Sequence, residues 1–363
     1  MSVKKVLIVG NDSGSIFGFR KELIETLVKE NQVYVAAKLF RAVEKLKELG
    51  CILIDVDCDA RGTNPLNDMK LVSEYKKILR EIKPDIVLTY TIKPNVYAGM
   101  ACAAMDVPYV ANISGLGRAV ENGGILQKIT LPLYRRGLRK AQKVFFQNTE
   151  NREFMLKHRI VMRNYDLLPG SGVNLEKFAL LDYPEDETVN FVYMARLMKE
   201  KGIDQYIDAA KYIRAKYPYT AFHAFGASGE EYRKIAEKLC DEGILTYHGH
   251  TSDVISAYRF ASCVVHPTFY PEGMSNVLLE SCASGRPIIT TDRAGCREIV
   301  DDGVNGFVVK QRSSEDLIEK IERFLSLSIA QRRQMGIEGR KKVEREFDRN
   351  VVIGKYMQEI EKV

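Results

Sequence analysis

Residues 263–298 read CVVHPTFYPEGMSNVLLESCASGRPIITTDRAGCRE. The apolar run Cys263–His266 predicts a strand, Pro271-Glu272-Gly273 a tight turn, Asn276–Ala283 a helix and 287–290 a second strand. Strand, turn, helix and strand in succession form the repeating unit of a parallel sheet with helices on its faces. At the helix start the backbone N–H groups of Ser275, Asn276 and Val277 have no partner within the helix, and the helix dipole points outward with them. Such a start binds anions. Glu272 stands in the turn before it and Glu280 within the helix, so phosphate and hydroxyl groups of one ligand could be met together. Two isolated glutamates at this spacing would more often form a solvated face. The neighbouring sequence decides the weight they carry.

Upstream, 189–194 is a hydrophobic strand followed by Ala195-Arg196-Leu197-Met198-Lys199-Glu200-Lys201-Gly202 and a long amphipathic run. Arg suits a two-pronged grip on phosphate, and Lys supplies a compact point charge. Fixed near a helix start, the two can stabilise charge building on a leaving phosphate. Alone, they would pass for surface cations; with the acidic block downstream, they read as a site.

These two blocks resemble the signature of retaining glycosyltransferases of family four, which have the GT-B architecture. The matching elements are Arg196-x4-Lys201-Gly202, Glu272-Gly273 with Glu280, Gly285-Arg286-Pro287-Ile288-Ile289, and Gly295-Cys296-Arg297-Glu298. Met274-Ser275-Asn276 stands where many members have Phe-Gly, a form similar to the subgroup that builds lipid-linked surface polysaccharides. The resemblance implies that Arg196 and Lys201 hold a nucleoside diphosphate, helped by the amides of Gly273, Met274, Ser275, Asn276 and Val277. It implies further that Glu280 binds the ribose and that Glu272 orients the donor sugar. Retention by front-face attack, with no metal and no cofactor, is likewise inherited from the resemblance.

Strand–helix alternation continues along the whole chain and predicts an α/β fold, two doubly wound Rossmann-like domains facing across a cleft. Expected boundaries are 1–182 for an acceptor domain, 183–346 for a nucleotide-sugar domain, and 347–363 for a helix crossing back to the first. In the first half, strands are expected near 6–9, 33–37, 52–55, 86–90, 109–113 and 144–147, with helices at 18–29, 67–81 and 95–105. The first strand leads into Gly10-Asn11-Asp12-Ser13-Gly14-Ser15-Ile16-Phe17-Gly18-Phe19-Arg20. Its spacing is not G-x-G-x-x-G, and no acid closes the second strand, which argues against a dehydrogenase. In similar glycosyltransferases this loop lies near donor and acceptor, which would place Gly14, Ser15 and Arg20 there. Thr89-Tyr90-Thr91-Ile92-Lys93-Pro94-Asn95 also resembles the polysaccharide-building subgroup and offers Lys93 to a phosphate. A family histidine has no counterpart at Gly115-Leu116-Gly117.

With 363 residues, 45% of them hydrophobic, the chain can bury two cores. No apolar run approaches the ~20 residues that span a bilayer, and 1–5 reads into a strand and not a signal peptide. Seven scattered cysteines without a CxxC pair suggest reduced packing residues in the cytoplasm. His248 and His250 flank Gly249 but lack a third ligand nearby, so zinc is rejected. Lys128, Arg135, Arg136, Arg139, Lys140 and Lys143 cluster beside Ile129, Leu131, Leu133, Tyr134 and Leu138. A segment of this kind can lie on an anionic membrane surface, or be a solvated face with its apolar side on the core. Nucleic acid is excluded as a partner, because no aromatic platform or recognition motif accompanies the charge.

The expected function is transfer of a hexose or N-acetylhexosamine from a UDP-sugar to a lipid-diphosphate-linked saccharide, in capsule, O-antigen or related glycan synthesis. The enzyme would be cytoplasmic and peripheral on the inner face of the membrane. Alternatives are a glycosyltransferase with a non-lipid acceptor, a GT-B nucleotide-sugar epimerase, and an inactive sugar-nucleotide-binding protein.

Overall fold

In the computed structural model, which describes residues 3–57, 65–117, 120 and 123–363, the chain forms two compact units. One comprises Met1–Ser171 and Asn350–Val363; the other is Gly172–Arg349. The first is built on β1 (Lys4–Asp12), β2 (Asn31–Lys38), β3 (Ile52–Asp55), β4 (Ile86–Tyr90), β5 (Tyr109–Ile113), β6 (Lys143–Phe146) and β7 (Tyr165–Leu167). Their order is β3-β2-β1-β4-β5-β6-β7, with every neighbouring pair parallel. Parallel strands are covered on both faces, so their sequences run almost continuously apolar. In β1, Leu7 and Val9 enter one core while Val6 and Ile8 enter the other, since successive side chains point to opposite faces.

The second unit repeats the plan with β8 (Val189–Met194), β9 (Thr220–Phe225), β10 (Thr246–Gly249), β11 (Cys263–His266), β12 (Ile288–Thr291) and β13 (Gly306–Val309). Their order is β10-β9-β8-β11-β12-β13, again all parallel. Phe191 and Tyr193 face one core; Val192 and Met194 face the other. The connection reverses direction between β8 and β11, and a crevice opens at such a switch point beyond the carboxyl ends of the two strands. Both sequence blocks singled out above leave the sheet there. The fold class expected from the sequence, two doubly wound α/β units of the GT-B kind, is the one observed.

Local departures have physical causes. β1 runs on to Asp12, and the helix Ser13–Leu27 begins at once because the Asp12 carboxylate accepts from the Ser15 N–H at 2.8 Å. The glycine-rich loop expected at 10–20 is therefore mostly strand end and helix. β7, three residues long, is too short to show a pattern. The polar segment 181–185, expected to lie at the boundary, is built into the second unit. The fully buried Arg286 guanidinium donates to the carbonyls of Asp182 at 2.6 Å and Tyr258 at 2.6 Å, and Tyr183 Oη donates to Ser262 O at 2.9 Å. The units accordingly divide at Ser171/Gly172 and at Arg349/Asn350.

The final helix, Arg349–Glu361, packs within the first unit from Asn350 onward. Tyr356 sets its ring edge-on to Phe145 at 5.1 Å, and its hydroxyl accepts from Asn112 Nδ2 at 2.6 Å. Among the described cysteines none is disulfide-bonded; Cys58 lies outside the described residues. No helix among the described residues is long and apolar enough to cross a membrane.

Candidate functional site

Lys201 reaches the switch point through a single glycine. The 3-10 turn Lys199–Lys201 ends at Gly202, whose φ of 77° lies in the left-handed region. A Cβ there would stand 2.1 Å from Pro267 O, so only glycine lets the turn approach the chain leaving β11. Phe269 N–H and Thr268 Oγ1 then donate to Glu200 O at 2.9 and 3.3 Å. The result is a direct hydrogen-bonded ion pair between Lys201 Nζ and Glu272 Oε1. The Tyr270 ring lies 5.0 Å from the same ammonium. Arg196 is held at the end of β8 by its backbone: Tyr193 Oη donates to its carbonyl at 3.0 Å, and Leu197 N–H donates to Ala227 O at 2.9 Å. Its side chain is exposed.

Glu272 is positioned from the far side by the turn after β12. Gly295, at φ 84°, presses its α-carbon toward Gly273 O, where a Cβ would come to 2.7 Å. Ser275 N–H donates to Gly295 O at 2.8 Å, and Gly295 N–H donates to Glu298 Oε2 at 2.7 Å. Glu298 thus fixes the turn that fixes Glu272. The helix Asn276–Ala283 follows, and no side chain caps its start at Ser275, unlike the helices headed by Asp12, Asn148, Asp253, Ser313 and Ser328. Asn276 and Val277 are half-buried at this start. Met274, expected among the binding residues, buries its side chain in the core and can offer only backbone.

One turn along this helix, burial lifts the Glu280 carboxyl to about 6, against the pull of Tyr258, Lys177 and Arg349 toward ionisation. Tyr258 Oη donates to Glu280 Oε2 at 3.1 Å. His266, at the end of β11, is buried with neither ring nitrogen bonded within the protein. Burial, helped by the Lys201 charge, pushes its pKa down to about 3, so the ring is neutral. The second unit therefore joins Lys201 and Glu272 directly, with Arg196 at the adjoining strand end and Glu280 on the helix beyond. Two surface cavities, one beside Asp292, Lys310 and Lys320 and one beside Leu180, Tyr183 and Arg333, contain none of these four.

Four candidates lie in the first unit. Ser15 spends both its N–H and its hydroxyl on Asp12, at 2.8 and 2.7 Å, and Gly14 sits in the same capped turn beside Arg41. A carboxylate already occupies this helix start. Arg20 is buried, stacked over the Tyr90 ring at 4.3 Å, and donates from Nη1 to Ser171 Oγ at 3.2 Å. These contacts anchor the helix to the sheet. Lys93 differs. It follows Thr91, a β-branched residue at φ 72°, and precedes the buried π-helical turn Pro94–Ala98. Two uncommon backbone states side by side, at the carboxyl end of β4, are the kind found where a chain is shaped for binding.

Tyr258, Tyr270, His266 and Glu298 were not singled out as site residues from the sequence. Tyr270, His266 and Glu298 fall inside the decisive stretch; Tyr258 comes from the preceding helix, with no local signal tying it to Glu280. No group of three His, Cys, Asp or Glu side chains among the described residues is disposed to hold a metal ion.

The family described as glycosyl transferases group 1 matches residues 181–342, and that described as glycosyl transferase 4-like matches residues 5–148. Among curated proteins, the chain is 24% identical to an N,N'-diacetylbacillosaminyl-diphospho-undecaprenol alpha-1,3-N-acetylgalactosaminyltransferase of Campylobacter jejuni, over 88% of this chain and 89% of the relative. It is 31% identical to the capsular polysaccharide biosynthesis glycosyltransferase CapM of Staphylococcus aureus, over 54% of this chain and 57% of that one. Among solved structures, a glycosyltransferase from Rickettsia africae superposes with a TM-score of 0.82 at 17% identity, covering 100% and 99% of the two chains. Anabaena Alr3699/HepE, in complex with UDP and glucose, superposes with a TM-score of 0.80 at 16% identity, covering 99% and 100%.

Proposed function

The chain belongs to the glycosyltransferases, with a glycosyl transferase 4-like first unit and a group 1 second unit, and from this premise we propose that it transfers a hexose or N-acetylhexosamine from a UDP-sugar to a lipid-diphosphate-linked saccharide with retention of configuration. The observation that carries the reading is the Lys201–Glu272 pair at the β8/β11 switch point, with Arg196 at the adjoining strand end and the uncapped helix start following Glu272. A diphosphate on Lys201, Arg196 and the helix amides puts the sugar it carries within reach of Glu272. Arg196 and Lys201 stabilise the charge that grows on the leaving phosphate. Glu272 accepts hydroxyls of the transferred sugar, and Glu280 accepts the ribose hydroxyls. Front-face attack uses the departing phosphate oxygen to take the acceptor's proton.

The acceptor class is supported by the Campylobacter relative, whose name states a diphospho-undecaprenol-linked substrate. The helix Gly124–Leu138 supports it independently. Tyr134 and Leu138 are buried and Leu131 and Leu133 pack on the core, so these apolar residues do not meet a membrane. Ile125, Leu126 and Ile129 are exposed instead, at 79%, 45% and 56%, beside the exposed Lys128, Arg136 and Arg139. An exposed apolar edge rimmed by cations suits an anionic leaflet. The protein would then work peripherally on the cytoplasmic face of a membrane, in capsule, O-antigen or related glycan synthesis.

The deciding experiment is a matrix of UDP-sugars against short-chain polyprenyl-diphosphate saccharides, with NMR of the product's anomeric centre. Transfer in the α configuration from an α-linked donor supports the reading. Inversion, or transfer only to acceptors without a lipid diphosphate, would refute the retaining or the lipid-linked half respectively.

A further inference from the structure

The Lys201–Glu272 ion pair joins two groups that the reaction proposed above employs on different parts of its donor. Lys201 is to hold the diphosphate and Glu272 the sugar, and the two are paired with each other. We infer that this pair discriminates a nucleotide sugar from its nucleoside diphosphate, because only the intact donor replaces both halves of the pair. The inference rests on the glycosyltransferase reading and adds a specificity device to it.

The side chains of Lys201 and Glu272 are only 14% and 16% exposed, so neither charge is well hydrated once the pair is broken. The Tyr270 ring offers its face at 5.0 Å, and the buried His266 ring stays neutral. The Cys296 thiol, which feels both members of the pair, is held protonated by burial. A diphosphate arriving at Lys201 thus takes the place of the carboxylate. Glu272 then gives up its bond to Lys201 beside the negative phosphates, held in place by the turn through Gly295 and Glu298. Sugar hydroxyls donating to it replace the bond lost with Lys201; UDP brings none to that position. After transfer, the sugar leaves with the acceptor, Glu272 recaptures Lys201, and UDP is displaced. Product release is thereby built into the same contact that readies the site.

The test is a double-mutant cycle read by calorimetry with UDP, repeated with inorganic pyrophosphate. Glu272→Gln keeps the shape of the side chain and removes its charge, and it should tighten UDP by about tenfold, equivalent to about 1.4 kcal/mol. The gain should vanish in the Lys201→Met background, because no ammonium remains to be released. Unchanged or weaker UDP binding by a folded Glu272→Gln protein overturns the inference. So does a gain that persists without Lys201, since it would then reflect only the general field of one carboxylate. Should Glu272→Gln fail to fold, Glu272→Ala is read by the same criteria. Wild type that does not bind UDP at all refutes the donor assignment itself, a result distinguishable from failure of this inference.

Discussion

The hydroxyl of Tyr258 donates to Glu280 Oε2 at 3.1 Å, on a carboxyl that burial has lifted to about 6. A folded-state value above the unfolded one means that the fold favours the protonated acid. Its stabilising contribution is complete below the unfolded value near 4.5 and is lost as pH rises through about 6. At neutral pH the buried charge then costs about 2 kcal/mol. Glu280→Gln should melt higher than wild type at pH 7.5, with the advantage gone near pH 4. The same variant should bind UDP about 10–100-fold more weakly, since hydrogen bonds to charged groups contribute most. Thermal melts and calorimetry across pH check both signs. A variant less stable at pH 7.5 but with full UDP affinity would remove Glu280 from the site.

Arg196→Ala and Lys201→Ala should each lower turnover about 100–1,000-fold, the loss seen when one preorganised donor to a developing anion is removed. Arg196 has an exposed side chain, so its removal should leave the melting temperature unchanged. Steady-state rates under saturating donor provide the measurement. Near-normal rates in both variants would take the diphosphate away from this strand end.

What could be read from the sequence was whatever local chemistry determines. The strand at Cys263–His266, the helix Asn276–Ala283 and the apolar strand Val189–Met194 are set by short runs and stand where expected. The meeting of Lys201 with Glu272 was legible only as a likeness between motifs. It depends on β11 pairing next to β8, a long-range choice that no local pattern records. Tyr258 escaped notice for the same reason, since it reaches Glu280 from another helix. Arg20, a cation in a glycine-rich stretch, looks available from its sequence alone. Only the fold shows it stacked on Tyr90 and bonded to Ser171. On the basic helix, the spacing of Leu131, Leu133 and Leu138 could not say which side meets the core.

Gly202→Ala should damage the site through geometry alone. Alanine must take a φ of 77° and bring its Cβ within 2.1 Å of Pro267 O. Gly243 is the internal control, because at φ 68° nothing lies within 4 Å of an added Cβ. Gly243→Ala should cost only the left-handed strain of about 1–2 kcal/mol and leave turnover intact. Gly202→Ala should cost more and also depress turnover, as Lys201 is pushed off Glu272. Equal losses of stability in the two, with activity kept in both, would show that the close approach to Pro267 does not position Lys201.

Transfer should continue in EDTA. Arg196, Lys201 and the uncapped start of Asn276–Ala283 already supply positive potential to a diphosphate. Rates measured with and without chelator should agree within error. Abolition by EDTA with rescue by magnesium or manganese would require a metal partner for the diphosphate.

The helix Gly124–Leu138 should bring the first unit to anionic membranes through only part of the cluster its sequence suggests, Ile129 with Lys128, Arg136 and Arg139, joined by Ile125. Arg135 donates to the carbonyls of His158 and Arg159 at 3.0 and 3.3 Å, and Lys140 pairs with Asp106 at 2.5 Å. Ile125, Ile129, Pro132 and Arg136 follow the helical repeat and are all exposed, with Lys128 and Arg139 nearby. Each cation near an anionic surface contributes about 1 kcal/mol, screened over roughly a Debye length. Replacing Lys128, Arg136 and Arg139 by Gln should therefore reduce partitioning onto phosphatidylserine vesicles by about 100-fold at low salt. Ile125→Ser with Ile129→Ser should weaken the same binding with little salt dependence, because apolar insertion does not depend on screening. Either set should slow transfer to a long-chain lipid acceptor and spare a water-soluble analogue. Vesicle sedimentation that is unchanged in both sets would return this helix to the role of a solvated face.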